Sequence, residues 1–462
     1  MAKIEPNLSV NAIFLPANQK GSSCWQSHVE TPNTQSKKEE GSSTLNLISA
    51  LKFRPFAFLW AGQTTSRLGD SLYRIALAWW VLQKTGSAAE MGAVLVFGSV
   101  PMLIFLLIGG VATDRFPRLR VMLISDILRG AVVALVALLA YTGQLEVVHI
   151  YIASVFFGLV AAFFQPAYTA TVPEITPPEL LPSANSLTSL SQQGASVIGP
   201  AIAAGIIAMG GTTTAFAFNA LSFFLSAACI LPIFSSEPAL NLPPSSPRTD
   251  PSQKLSVVSS IRQVFGDIRE GLVAVAASPW LWVTILLFGF INAASAGPMS
   301  TSLPILVKDV LQQDVAVLGL FTSMSSAGYV LGAIGLGRLT KIRKRGYLAY
   351  ISTILNGAAI AVFGLTRSIP LLAAVALLNG ASMSVFGLIW TNSLQELVPR
   401  GLLGRVAAID SLGSFVLLPI GFAVAGWATD QIGAPQVFLI GGALSMALAG
   451  IGLLHPDIRA LD

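Results

Sequence analysis

Apolar residues run along this chain in unbroken blocks. Twelve blocks approach the roughly 20 residues that a helix needs to cross a bilayer. They fall at 56–82, 89–112, 121–142, 147–170, 184–208 and 213–233, then at 279–306, 315–338, 346–366, 369–392, 403–429 and 435–454. Lipid offers backbone groups no partner, so helices must make these crossings. Strands of a β-barrel would alternate instead. The pattern predicts an all-α membrane protein of twelve transmembrane helices in two pseudo-symmetric six-helix bundles. Residues 1–43 are polar and read as a disordered cytoplasmic tail. Residues 44–233 form the first bundle, opened by an amphipathic segment with Lys52 and Arg54. Residues 234–272 are a Pro/Ser-rich cytoplasmic linker with an amphipathic helix near its end, and 273–462 form the second bundle.

Composition sharpens this picture. Asp, Glu, Lys and Arg make only 11% of the 462 residues, too few to cover a soluble body of this size. A soluble enzyme, a disordered chain and a nucleic-acid binder are thereby excluded. Cys24 and Cys229 cannot build a disulfide framework, and three scattered histidines suggest no metal. No signal peptide is expected, since the apolar run 12–15 is too short. With the N-terminus inside, the loops on that side hold fourteen basic residues, Arg118, Arg345 and Arg405 among them; the opposite loops hold only Lys84, Lys308 and Arg367. The positive-inside rule then places both termini in the cytoplasm.

The halves match at an offset of 222 residues. Glu174, Pro177, Leu180 and Leu181 correspond to Glu396, Pro399, Leu402 and Leu403, Gly199 to Gly421, and Gly211 to Gly433. A parallel repeat of six helices is a secondary-transporter plan, with the site between the halves near midplane. Between the second and third blocks runs Gly109-Gly110-Val111-Ala112-Thr113-Asp114-Arg115-Phe116-Pro117-Arg118-Leu119-Arg120. Gly110 permits a tight helix exit, Asp114 suits a helix N-terminus, and Arg115, Arg118 and Arg120 add inside charge and can pair with Asp114. This stretch resembles the loop signature of the major facilitator superfamily, with Leu119 where a second base is common. The resemblance implies a gating loop that locks against the helix beginning near Leu402. Phe58–Gln63, Ser66–Asp70, Ser125–Gly130, Gln165–Tyr168 and Ala184–Leu187 resemble the drug-efflux branch that holds macrolide and enterobactin exporters.

Charges inside spans are functional candidates by default. Arg67, Asp70 and Arg74 share one face of the first helix, and Asp126 and Arg129 share one of the third. Counting about 1.5 Å per residue, the two clusters lie at depths that let them meet. Together with Asp410 they are the proton-coupling candidates, since a nearby arginine changes a carboxyl's proton affinity. A static network that neutralises buried charge is the alternative. Gly194, Gly199, Pro200 and Gly205 resemble an antiporter signature of the fifth helix. Gln63, Gln165, Asn185, Gln192, Gln193, Trp390 and Asn392 are cavity candidates. Trp79 and Trp80 read as an interfacial belt, and Glu90 as solvated.

No P-loop, catalytic triad or metal-ligand spacing is present, so the expectation is no enzyme, no cofactor and no metal. The expected function is proton-coupled efflux of a small amphipathic compound, drug-like, macrolide-like or siderophore, by a monomer in the inner membrane. Its partners are the lipid bilayer, the substrate and protons. A lysophospholipid transporter is the alternative, and a non-transporting sensor a more distant one.

Overall fold

The computed structural model describes residues 48–236, 269–339 and 343–462, without the side chains of 107, 110–115, 235 and 236. The expected tail and most of the expected linker lie outside the described residues. Among the described residues every regular element is helical.

Proline and glycine set the helix boundaries. Pro55 sits in the first turn of α1 (Arg54–Thr85), where its missing N–H costs nothing. Gly86 ends it in the left-handed conformation (φ 65°), returning its N–H to Leu82 O at 2.9 Å. Next come α2 (Ala88–Arg115), α3 (Arg118–Tyr141) and α4 (Val147–Ile175). Leu181–Ser236 is one helical run broken at Gly211, whose φ of 74° and ψ of 178° only glycine tolerates. Its limbs are α5, before Gly211, and α6, after it. α7 (Pro279–Gly297) continues to Val310 through two π-type turns, Pro298–Ser302 and Leu306–Val310. Pro298 and Pro304 stand there, and each removes a donor from the ladder. α8 (Val315–Gly337), α9 (Arg345–Val362) and α10 (Ile369–Leu397) follow. α11 has two limbs, Leu403–Phe415 and Leu418–Ile432, and α12 is Ala434–Leu454. By length and composition, nine stretches among the described residues suffice to cross a membrane, the broken run Pro178–Phe234 counting as one.

The offset of 222 recurs in part in the contacts. Glu174 pairs with Arg118 at 3.0 Å, and Glu396, 222 positions on, pairs with Arg345, which stands 227 beyond Arg118, at 2.5 Å. A methyl on Gly199 would strike the Ser71 side chain; one on Gly421 would stand 2.6 Å from Ala293 O, at the position 222 beyond Ser71. Gly433 has φ 86° and joins α11 to α12 as Gly211 joins α5 to α6. Other glycines let backbones touch. Gly158 abuts Gly98 O between α4 and α2, and Gly380 abuts Ser325 O between α10 and α8. Gly62 and Gly69 seat α1 against Ser226, Asn219 and Ser222 of α6.

The apolar interior is divided unevenly. One core joins both halves at the face that carries the 86–87 and 311–314 loops: Leu82, Val94, Ile207 and Phe216 pack with Leu303, Val307, Leu318 and Phe363. At the opposite face the cores are separate. Phe56, Met122, Phe164 and Ile230 belong to the first half, and Phe288, Tyr350 and Ile389 to the second.

Gly69→Leu is expected to lose stability by about 1–3 kcal/mol or more through overpacking, because even its Cβ would lie 2.5 Å from Asn219 Oδ1. Thermal unfolding of the purified protein checks this; a melting temperature equal to wild type would contradict the contact.

Candidate functional site

Polar groups collect at two places. The first is sealed within the first half. Asp126 on α3 is fully buried and Arg129, one turn on, is 7% exposed. Arg129 Nη2 donates to Asp126 Oδ1 at 2.6 Å, and Ser226 Oγ of α6 donates to Oδ2 at 2.7 Å. Gln63 of α1 donates to Asp126 Oδ2 at 3.3 Å and to Ser226 Oγ at 2.9 Å. The guanidinium carbon lies 4.1 Å from the centre of the Phe164 ring and 4.6 Å from that of Phe223. A buried charge pair of this kind persists only when its remaining hydrogen-bonding capacity is met; here amide, hydroxyl and two aromatic faces meet much of it, and Arg129 Nε is without a partner among the described residues.

Asp70 lies beside this network and differs from Asp126. Among the described residues no hydrogen bond or ion pair reaches it, yet the charges of Arg129, Arg74 and Arg67 act on it. Arg67 instead donates to Thr188 O at 2.9 Å and covers the Tyr168 ring at 5.1 Å. The shared helical face therefore yields no Arg67–Asp70 ion pair: Arg67 turns to α5 and α4.

The second place is a cavity of about 550 Å³ inside the second half, lined from α7, α8, α9, α10 and α11. Its wall mixes hydroxyls and amides (Ser325, Asn356, Asn379) with aromatic rings (Phe288, Phe386, Trp390). Phe288 stacks on Phe386 at 3.8 Å, and Trp390 meets Trp280 edge-on at 5.6 Å. Asp410 of α11 is the acidic residue of this wall. Trp390 Nε1 donates to its Oδ2 at 3.0 Å and Ser414 Oγ to its Oδ1 at 3.3 Å. Arg405, the nearest base in sequence, pairs with Glu270 at 2.6 Å.

The halves are also latched at their shared face. Asp430, near the end of α11, accepts from the N–H of Ala88 at 2.7 Å and of Ala89 at 3.1 Å. It also accepts from Ser87 Oγ, and Ser87 Oγ in turn caps the N–H of Glu90. A carboxylate from one half thus caps a helix of the other, where the dipole favours an anion. Lys308 Nζ reaches Leu82 O nearby at 3.5 Å. Nothing in the composition around Asp430 marks this role; only the fold brings it to Ser87.

Several expectations need correction. Of the seven cavity candidates, Trp390 lines the second-half cavity and Gln63 is buried in the Asp126 network; Gln193 is half-buried, and Gln165, Asn185, Gln192 and Asn392 are exposed and outside that cavity's lining. Polar character alone does not fix which way a helical residue faces. Gly199 packs tightly against Ser71, and Pro200 and Ala204 approach Gly319 of α8, but Gly194 and Gly205 have open space where a side chain would start. Arg118 pairs with Glu174, and Arg120 is exposed. The side chains of Gly110, Asp114 and Arg115 lie outside the described residues. Trp79 is 6% exposed and Trp80 packs on the same core, so this pair is interior packing and not a belt. Glu90 accepts from Tyr151 OH rather than from water alone. Among the described residues no cluster could hold a metal.

The model of the Major Facilitator Superfamily matches residues 59–409 and 285–460. Macrolide efflux protein A of Streptococcus pyogenes is 22% identical over 409 residues, covering 88% of this chain and 97% of that protein. Multidrug efflux pump Tap of Mycolicibacterium fortuitum is 27% identical over 417 residues, with 88% and 97% covered. Enterobactin exporter EntS of Escherichia coli is 27% identical, with 90% and 98% covered. Among solved structures, a bacterial homologue of the iron transporter ferroportin in an inward-facing state superposes with a TM-score of 0.67 at 16% identity, covering 86% of this chain and 98% of that one. A POT family transporter in complex with 5-aminolevulinic acid also gives 0.67, at 14% identity, with 88% and 96% covered. The family match spans most of a helical chain with a lined cavity between membrane-crossing segments, and the protein belongs to the major facilitator superfamily of membrane transporters.

Proposed function

We propose that the protein exports a small amphipathic compound by alternating access, driven by the proton gradient. The observation that carries this proposal is the division of the interior. A core shared by both halves and the Asp430 latch close one face. At the other face each half keeps its own core. This is one stage of a cycle in which two lobes rock about a central passage. With fourteen basic residues on the side of the 116–117 and 400–402 loops, the closed face is external and the molecule faces inward, with both termini in the cytoplasm. Taking α5 and α6 as separate crossings and adding α1 (32 residues) and α9 (18 residues) to the remaining eight apolar stretches makes twelve, six to a bundle. The efflux names of the relatives support the outward direction.

Between buried Asp126 and half-buried Asp70, the arrangement favours Asp70 as the proton carrier. Asp126 is held by three donors, one of them a guanidinium, and serves as the counter-charge that keeps Arg129 in the bundle. Asp70 has no such partner and feels the same guanidinium, so any displacement of α1 against α3 changes its attraction for a proton.

Three outcomes are expected. In proteoliposomes, uptake of a fluorescent drug should rise when a proton gradient is imposed and fall to passive leak with Asp70→Asn; coupling that survives this substitution removes Asp70 from the role. Asp126→Asn and Arg129→Met should each cost about 3–5 kcal/mol by leaving an uncompensated partner, whereas the double variant should cost less than their sum. Thermal unfolding of the three variants would show additive losses if the pair did not interact. Asp430→Ala should remove about 1 kcal/mol of capping, raising the population open at the external face a few-fold. Spin labels at Lys84 and Asp314 would report this as added long distances, and an unchanged distribution would show that Asp430 does not latch the halves.

A further inference from the structure

The cavity of the second half has an unbalanced charge. Asp410 is its one acidic residue, and no lysine, arginine or histidine lines it among the described residues. The two donors that hold Asp410 are an indole N–H and a hydroxyl, both neutral. Asp126 shows what this fold does when it balances a carboxylate internally: it sets a guanidinium against it at 2.6 Å. At Asp410 the described residues that line the cavity supply no such counterpart. The ring that binds the carboxylate, Trp390, also stacks with Phe386 at 6.2 Å, and Phe386 stacks with Phe288. A continuous aromatic wall therefore leads from the carboxylate into the cavity. Negative ring faces and a carboxylate attract the same kind of guest.

We infer that the cavity recognises amphipathic cations, compounds with a protonated amine or quaternary centre and an apolar body, with Asp410 as the counter-ion and the Phe288, Phe386 and Trp390 rings as the seat. An anion brought to this wall meets a like charge in a medium of low dielectric, and a neutral compound leaves the carboxylate uncompensated. Asn292 and Asn356 add neutral hydrogen-bonding groups to the wall, which suit a guest with several polar substituents. About 550 Å³ lies within the range of drug-sized sites. This inference deepens the efflux proposal and rests on it for the direction of movement.

A pair of ions of nearly equal size and opposite charge tests it. Tetraphenylphosphonium and tetraphenylborate are bound to the full chain in detergent, each corrected for uptake by protein-free micelles. The cation is expected to bind at least about tenfold more tightly than the anion. Asp410→Asn should weaken the cation about tenfold and narrow the difference between the two ions, while Asp410→Glu stays close to wild type. Equal binding of the two ions by the wild-type protein overturns the inference without recourse to any variant. So does cation affinity unchanged in a folded, monodisperse Asp410→Asn protein. Binding in detergent needs no gradient, so the two proposals fail separately. Discrimination retained without gradient-driven uptake rejects coupling, and uptake retained without discrimination rejects the charge assignment.

Discussion

Lipid gives helices no hydrophobic reason to associate, since its tails are as apolar as leucine. What holds this molecule together is therefore close contact at positions where a side chain would intrude. Gly158 against Gly98, Gly380 against Ser325, and Gly62 and Gly69 against α6 bring backbones to distances at which even a methyl group collides. The polar network depends on this. Gln63 reaches Ser226 because Gly62 lets α1 lie on Ser226 itself, and Ser226 then reaches Asp126.

Charge is handled differently in the two halves. The first half encloses an arginine and an aspartate and satisfies them with an amide, a hydroxyl and two rings, so its buried charges cancel. The second half, whose Glu396 is ion-paired as Glu174 is in the first, places a carboxylate on the wall of an open space. The repeated scaffold carries different side chains at non-equivalent positions: among the described residues Arg129 has no basic counterpart lining the cavity with Asp410.

Much of this was legible in the sequence. Block length and the absence of alternation dictate membrane helices whatever their tertiary contacts, because lipid imposes the rule residue by residue. The Glu/Pro/Leu/Leu match between 174–181 and 396–403 carried the repeat. The Asp126–Arg129 pair followed from helical spacing, which fixes neighbours on one turn. Spacing failed for Arg67 and Asp70, since a long side chain is free to choose partners on other helices, and Arg67 chose Thr188 and Tyr168. Direction was not legible for Gln165, Asn185, Gln192 and Asn392, which lie outside the lining of the second-half cavity: around a helix that is apolar on all sides, a lone polar residue does not reveal which side faces the passage. Trp79 was misplaced for the same reason, its depth along α1 saying nothing about its azimuth. Asp430 was invisible altogether, as its partners lie more than 340 positions away.

The first turn of α2 is capped by a carboxylate belonging to the other half. When the halves part at that face, the N–H groups of Ala88 and Ala89 lose their acceptor and must find water instead. Separating the halves at this face is thus also a wetting step, and its equilibrium responds to the activity of water. Solutes excluded from protein surfaces will hold the gate shut without touching the transport site.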